Sequence, residues 1–343
     1  MRKFFIATSL LFALIIGILL ENRYNILGPE QVQNNENSII ESNKAEDPKW
    51  PAAFEIVNIK SPLDGSEQPA YFYKSKSKKP QPLVVSLHTW SNDYTQYDSI
   101  NYFSHLKDIN YIHPNFRGVN NKKETCCSDL VISDIDAAID YALQNSNANP
   151  EEVYVVGFSG GGYATLATFM KSKHNIKKFA SWCPLVDLVK WYDEARIIKI
   201  KHADEILLCT DSKNGILNKE IAIKKSPIFW ETPVEKANHT QLEIYTGLYD
   251  GMRDNGVIPI THSINFYNKL LLDLKVQDSS LYVSNSEKLK LLEFREPLSE
   301  YGTIANRKVA LKKSYGNISL TLFEGGHEIL KHYAFKSLFE NEL

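Results

Sequence analysis

VYVVGFSGGGYATLATFM, residues 153–170, decides how the rest of the chain is read. Val153 to Gly157 is a short run of β-branched and aromatic residues, of the kind that forms a buried strand. Gly157-Phe158-Ser159-Gly160-Gly161 follows, a G-x-S-x-G pattern, and from about Gly161 to Lys173 the small and apolar residues predict a helix. A strand that turns straight into a helix leaves no room for bulk beside the serine, which explains the glycines. Such a turn lifts the Ser159 hydroxyl above the edge of a sheet and aims the next backbone N–H, that of Gly160, at a reacting carbonyl. The bland alternative is a glycine-rich turn whose serine only caps the following helix. The pattern by itself is common; the strand before it and the helix after it favour the nucleophile.

Working outward, strand and helix signals alternate. Ile56–Lys60 and Ala70–Lys74 flank the turn residues Leu63-Asp64-Gly65 and predict an antiparallel hairpin. Pro82 to His88 is an apolar run of strand length, and Tyr111–Pro114 is a weaker one. Asp129 to Leu143 places Leu130, Ile135, Ala138, Ile139 and Ala142 at helical spacing. Phe179–Cys183, Leu242–Thr246 and Ile318–Phe323 predict further strands, each with a helix after it. The expected fold class is therefore α/β: one main domain with a mostly parallel central sheet and helices on both faces.

A serine needs a base to become a nucleophile, and the base needs an acid to orient it. On such a sheet the order along the chain is Ser, then Asp or Glu, then His, each beyond the end of a strand. Asp250 follows Leu242–Thr246 through Gly247-Leu248-Tyr249, and His327 follows Ile318–Phe323 through Glu324-Gly325-Gly326. Asp254, four residues on, is the alternative acid. His174, His202, His239, His262 and His332 sit in helical or polar surroundings and read as surface or packing residues. The second oxyanion donor is expected from the loop after the strand ending at His88, as the backbone N–H of Thr89 or of Trp90, with Trp90 also walling the pocket; His88 and Trp90 serve equally well as packing residues. The Lys190–Lys225 stretch is placed to form a small helical cap, although surface helices would explain it too.

The chain has 343 residues, with 39 Lys+Arg against 41 Asp+Glu and 43% hydrophobic residues. Near-neutral charge argues against nucleic acid as a partner and against a polybasic membrane-surface binder. Residues 1–20 depart from this average. Arg2 and Lys3 precede seventeen uncharged residues, Phe4 to Leu20, which read as a signal peptide or an N-terminal membrane anchor. Export to a periplasmic, extracellular or membrane-anchored location follows from the positive charge before it. Any membrane contact is expected only through this segment. Residues 21–49 are polar and aperiodic, a disordered leader, and residues 50–343 form the expected catalytic domain. Export permits disulfides: Cys126 or Cys127 is expected to pair with Cys183 or Cys209. No metal motif and no phosphate-binding loop is present, so no cofactor and no metal is expected. Arg117 is expected to pin a loop through a carboxylate. The oligomeric state is left open.

SLHTW at 86–90, NFRG at 115–118, GFSGG at 157–161, GLYDG…VIPITHS from 247 to 263 and EGGH at 324–327 together resemble an α/β-hydrolase of the prolyl oligopeptidase-like group. That group also takes in dienelactone-hydrolase-like and acetyl-xylan-esterase-like enzymes. The resemblance implies a Ser-His-Asp hydrolase with Ser159, His327 and Asp250 in those roles. The chain departs from the group in two places. The peptidases carry a β-propeller ahead of the catalytic domain, and at about 40–45 residues per blade none fits between Leu20 and the first strands. An insertion between Gly251 and Val257 is what makes Asp254 a rival. The expected function is an exported serine hydrolase that cleaves a small carboxylic ester through an acyl-enzyme. A peptidase for short peptides is the alternative, and a catalytically inactive binding module a further one.

Overall fold

In the computed structural model, residues 50–252 and 256–339 are described. The apolar N-terminal run, the leader and Asp254 therefore lie outside the described residues. The hairpin appears as β1 (Glu55–Lys60) and β2 (Glu67–Tyr73), antiparallel with Val57 opposite Ala70. Next come β3 (Gln81–Leu87), helix α1 (Ile100–Leu106), β4 (Asn110–Pro114), α2 (Asp129–Asn145) and β5 (Ala148–Phe158). The stretch that opened the sequence reading supplies the end of β5 and α3 (Gly160–Lys171), and β6 (Lys178–Trp182) follows. Three short helices then intervene: α4 (Leu188–Ile197), α5 (His202–Cys209) and α6 (Lys219–Lys224). After them come α7 (Val234–His239), β7 (Gln241–Gly247), α8 (Thr261–Asp273), α9 (Asn285–Phe294), β8 (Thr303–Ile304), β9 (Arg307–Tyr315), β10 (Ile318–Phe323) and α10 (Lys331–Phe339).

The strands lie in the order β1-β2-β4-β3-β5-β6-β7-β10-β9-β8. Six neighbours from β4 to β10 run parallel, while β1 and β2 at one end and β9 and β8 at the other are antiparallel. Every residue of β4 and of β6 is buried, whichever side of the pleat it points to. Both faces of the sheet are therefore covered, as the continuous apolar runs required. Helices pair over it: Phe103 of α1 stacks on Phe335 of α10 at 5.5 Å, and Lys171 at the end of α3 bonds Asp129 at the start of α2 at 2.9 Å. From Pro51 onward the chain is one compact unit.

The strand order reverses at β3, which has β4 on one side and β5 on the other. Beyond the carboxyl ends of β3 and β5, such a reversal opens a crevice where ligands bind in open α/β sheets. The sequence reading did not include β8 and β9. Arg307–Tyr315 (RKVALKKSY) carries four cations in nine residues, which hides a strand signal. Lysines are what an edge strand uses to discourage further pairing.

The expected cysteine pairing is met by Cys126–Cys209, which closes 83 residues and ties the loop before α2 to the end of α5. Cys127 and Cys183 are free and buried. Arg117 does pin a loop: Nε and Nη2 donate to the two oxygens of Asp134 at 2.5 and 3.1 Å, and Nη1 donates to Asp64 at 2.6 Å. Among the described residues, no helix is long and apolar enough to cross a membrane.

Candidate active site

Ser159 sits between β5 and α3 with φ 57° and ψ −117°, a left-handed conformation that costs a non-glycine residue energy. The turn is held from the side by β6, because the Ser159 N–H donates to the Trp182 carbonyl at 2.8 Å. This geometry leaves Ser159 9% exposed at the carboxyl end of the sheet.

His327 Nε2 lies 2.9 Å from Ser159 Oγ, and its Nδ1 lies 2.7 Å from Asp250 Oδ2. The two loops that carry the acid and the base come off adjacent parallel strands, β7 and β10, whose ends pair Gly247 with Phe323. Backbone bonds continue past the strands. Leu248 N–H donates to Phe323 O at 2.7 Å and Tyr249 N–H to Gly325 O at 2.8 Å, so Asp250 is carried to His327 by the sheet itself. Asp250 is fully buried, and its other oxygen accepts from the Ile258 N–H at 3.2 Å. Gly256 has to be glycine here. Its φ is +149°, and a Cβ would fall 2.2 Å from Asp250 Oδ1 and 2.7 Å from His327 Cβ.

The two donors named for the oxyanion loop have different fates. Thr89 N–H is taken by the side chain of Gln96 at 2.8 Å. Trp90 N–H donates no hydrogen bond among the described residues, and a Cβ on Gly160 would lie only 2.3 Å from it. Gly160 and the Trp90 backbone nitrogen therefore lie against each other beside Ser159, whereas the Thr89 N–H, the other donor expected from this loop, is engaged by Gln96. His88 fixes that loop to the next one. Buried and stacked on Phe116 at 3.8 Å, it places Nε2 2.7 Å from Asn115 O and Nδ1 2.9 Å from Thr89 O. Burial pushes the His88 imidazole below its usual pKa.

Trp90 is buried, so it walls the site less openly than expected, and it braces the inserted helices instead. Its indole N–H donates to Glu205 of α5 at 2.8 Å, and its ring meets Trp191 of α4 edge-on at 4.8 Å. Trp191 in turn donates to Val257 O at 3.0 Å, on the loop that holds Asp250. His262 is buried as well, with Nε2 2.8 Å from Glu194 of α4. Sequence reasoning set His202 aside as a surface or packing residue. It lies 5.2 Å from the Trp191 ring, and burial lowers its pKa. Its helical neighbours gave no signal of that position.

The model of the prolyl oligopeptidase family matches residues 96–287, more than half of the 343 residues. This chain belongs to the prolyl oligopeptidase family. The matched span holds Ser159 and Asp250 and stops short of His327, which the fold brings to them. Several solved structures share the fold at low identity. An acylaminoacyl peptidase from Pyrococcus horikoshii is 20% identical, with a TM-score of 0.50 over 70% of this chain and 37% of that one. A puromycin-hydrolyzing peptidase from Mycobacterium tuberculosis is 18% identical, with a TM-score of 0.52 over 86% and 39%. Prolyl oligopeptidase B from Galerina marginata, bound to a 25mer macrocyclization substrate, is 14% identical, with a TM-score of 0.55 over 84% and 37%. The chain thus spans well under half the length of these structures. The mostly parallel sheet with helices on both faces is the α/β-hydrolase fold of this family.

Proposed function

We propose that the protein hydrolyses short peptides through an acyl-enzyme on Ser159. The observation that carries this reading is the unbroken chain Ser159–His327–Asp250, at 2.9 and 2.7 Å, beside two N–H groups. His327 Nε2 takes the hydroxyl proton as Ser159 Oγ bonds to the carbonyl carbon, and the negative charge on the carbonyl oxygen is met by Gly160 N–H and Trp90 N–H. Asp250 holds Nδ1–H, which keeps Nε2 free to accept and stabilises the imidazolium that forms. His327 then returns the proton to the leaving amine, and a water repeats the sequence to release the acid.

From the sequence alone an ester ranked ahead of a peptide. Membership of the prolyl oligopeptidase family reverses that order, and an acylaminoacyl peptidase of similar fold, in complex with Z-Gly-Gly-Phe-chloromethyl ketone, supports a short peptide as the ligand class. The uncharged run 4–20 and the Cys126–Cys209 disulfide support work outside the reducing cytosol.

Labelling with a fluorophosphonate probe and turnover of short peptide p-nitroanilides test the reading against p-nitrophenyl acetate. Both labelling and turnover should vanish in Ser159→Ala. Retained turnover in that variant would refute the nucleophile, and ester turnover without any peptide turnover would replace the substrate class. No labelling of the native chain is the outcome expected of an inactive binding module.

A further inference from the structure

Cys183 is the first residue past β6 and takes a left-handed backbone conformation, φ 47°, with its N–H held by Tyr245 O at 2.7 Å. Its thiol is fully buried, 3.4 Å from the carbonyl of Glu328. The hydrolytic steps above do not use it. Yet its Sγ, a carboxylate oxygen of Asp250 and a ring nitrogen of His327 all lie within 4.8 Å of one another. Thiolate, carboxylate and imidazole are the donors that zinc prefers. Backbone hydrogen bonds fix Cys183 to Tyr245 O and Asp250 to Gly247 O, and the Asp250 carboxylate holds His327, so the three donors are neighbours before any ion arrives and reach it by small shifts.

We propose that Cys183, Asp250 and His327 form an inhibitory binding site for a thiophilic divalent cation, Zn2+ being the type case. The proposal rests on the reading of His327 as the general base. When the ion binds, Cys183 releases its proton to solvent and its sulfur bonds the metal. Asp250 contributes an oxygen. The proton on His327 Nδ1 moves to Nε2, and Nδ1 becomes the third ligand. Nothing is oxidised or reduced, and one proton leaves per ion bound. Thiolate, carboxylate and Zn2+ sum to zero charge, so the buried centre ends with no net charge where it began with one anion. From zinc bond lengths, tetrahedral ligands sit about 3.4–3.6 Å apart, so the imidazole and carboxylate move apart and the thiol moves in. The fourth position remains on the side where His327 is 17% exposed. In the bound state Nε2 carries a proton toward Ser159 Oγ and has no lone pair to accept one. Turnover stops because the base is in the wrong tautomer.

The experiment titrates ZnCl2 into the disulfide-intact protein in buffer without thiol reductant and follows p-nitrophenyl acetate turnover, with EDTA reversal and with Cys183→Ala in parallel. A second readout is the thiolate-to-metal charge-transfer band of Co2+, recorded on Ser159→Ala so that it does not depend on activity. We expect Zn2+ inhibition that EDTA reverses, about tenfold or more weaker in Cys183→Ala, and a Co2+ band that the Cys183→Ala background abolishes. Equal inhibition of the native chain and Cys183→Ala overturns the site, as does the absence of both band and inhibition in an enzyme that needs Ser159; either result leaves the hydrolase reading standing. A cobalt band with undiminished turnover overturns the inhibitory role and removes His327 as base. Cys183→Ser, close in volume, repeats the comparison if the alanine variant does not fold.

Discussion

Gly160→Ala is the most exacting test of how the site is built. A Cβ at residue 160 would lie 2.3 Å from the Trp90 nitrogen, 2.5 Å from its Cα and 2.8 Å from its Cβ. Ordinary contact begins near 3.4 Å, so the overlap is about 1 Å, and it falls on backbone that no rotamer change can clear. On the serine side, Ser159 is held by Trp182 O and, through its own carbonyl, by the Tyr163 N–H at 2.9 Å. Opposite it, Asn120 N–H holds the Trp90 carbonyl at 3.0 Å, and the indole is tied to Glu205. One of the two must yield, and the separation of the two oxyanion donors changes by about 1 Å whichever does. Loss of one such donor costs about 10²–10³ in kcat, and overpacking adds about 1–3 kcal/mol of destabilisation. Steady-state kinetics should therefore show kcat down by about a hundredfold or more with KM changed little. Circular dichroism and a thermal melt check that the chain is folded. A folded variant with kcat within a fewfold of native would refute Trp90 N–H as the second donor.

Three further predictions concern the frame around the site. Arg117→Met leaves Asp134 buried without its cation and should cost about 3–5 kcal/mol in urea unfolding; adding Asp134→Leu should recover most of that, and a loss below 1 kcal/mol would contradict the role given to Arg117. Cys209→Ser opens an 83-residue closure and should cost about 2–5 kcal/mol, read as the gap between guanidinium midpoints with and without reductant, a gap the variant should lack. Burial pushes His113 down to about 4, so the unfolded chain binds a proton there below about 6.5 that the folded chain refuses. Its contribution is complete above pH 6.5 and drains toward pH 4, worth about 2–3 kcal/mol by pH 4.5; His113→Phe should flatten that part of the urea stability profile between pH 7.5 and 4.5.

The core of the sheet was legible because parallel strands buried on both faces write themselves as apolar runs, and β10 matches its expected bounds to the residue. Ser159, Asp250 and His327 were legible for a related reason: each stands just past such a run, and the sheet fixes where the run ends. What could not be read depends on contacts between distant residues. The choice between Thr89 and Trp90 turns on the side chain of Gln96, which takes one amide and leaves the other. The cysteine pairing turns on where α5 comes to rest. Helix α9 carries a capping box, Ser284 and Glu287, yet its helical period is too weak to have separated it from a loop. Lys225 is the converse, a cation inside the protein. Its Nζ donates to the carbonyls of Lys123 and Thr125 at 2.6 and 2.8 Å, and burial lowers its pKa to about 8. Nothing in a lysine-rich stretch announces which lysine turns inward.

The helices between β6 and β7 are bolted down at several points: a disulfide at Cys209, an indole bond at Glu205, a second indole bond from Trp191, and Lys190 Nζ on Thr261 Oγ1 at 2.6 Å. Two of these anchors land on the oxyanion loop and on the loop of the acid. Helices α4 and α5 are thereby joined to the same loops that carry Trp90 and Val257. A substitution that loosens one of these anchors is therefore expected to be felt at Trp90 and at the Val257–Ile258 segment that holds Asp250, and not only in the helices themselves.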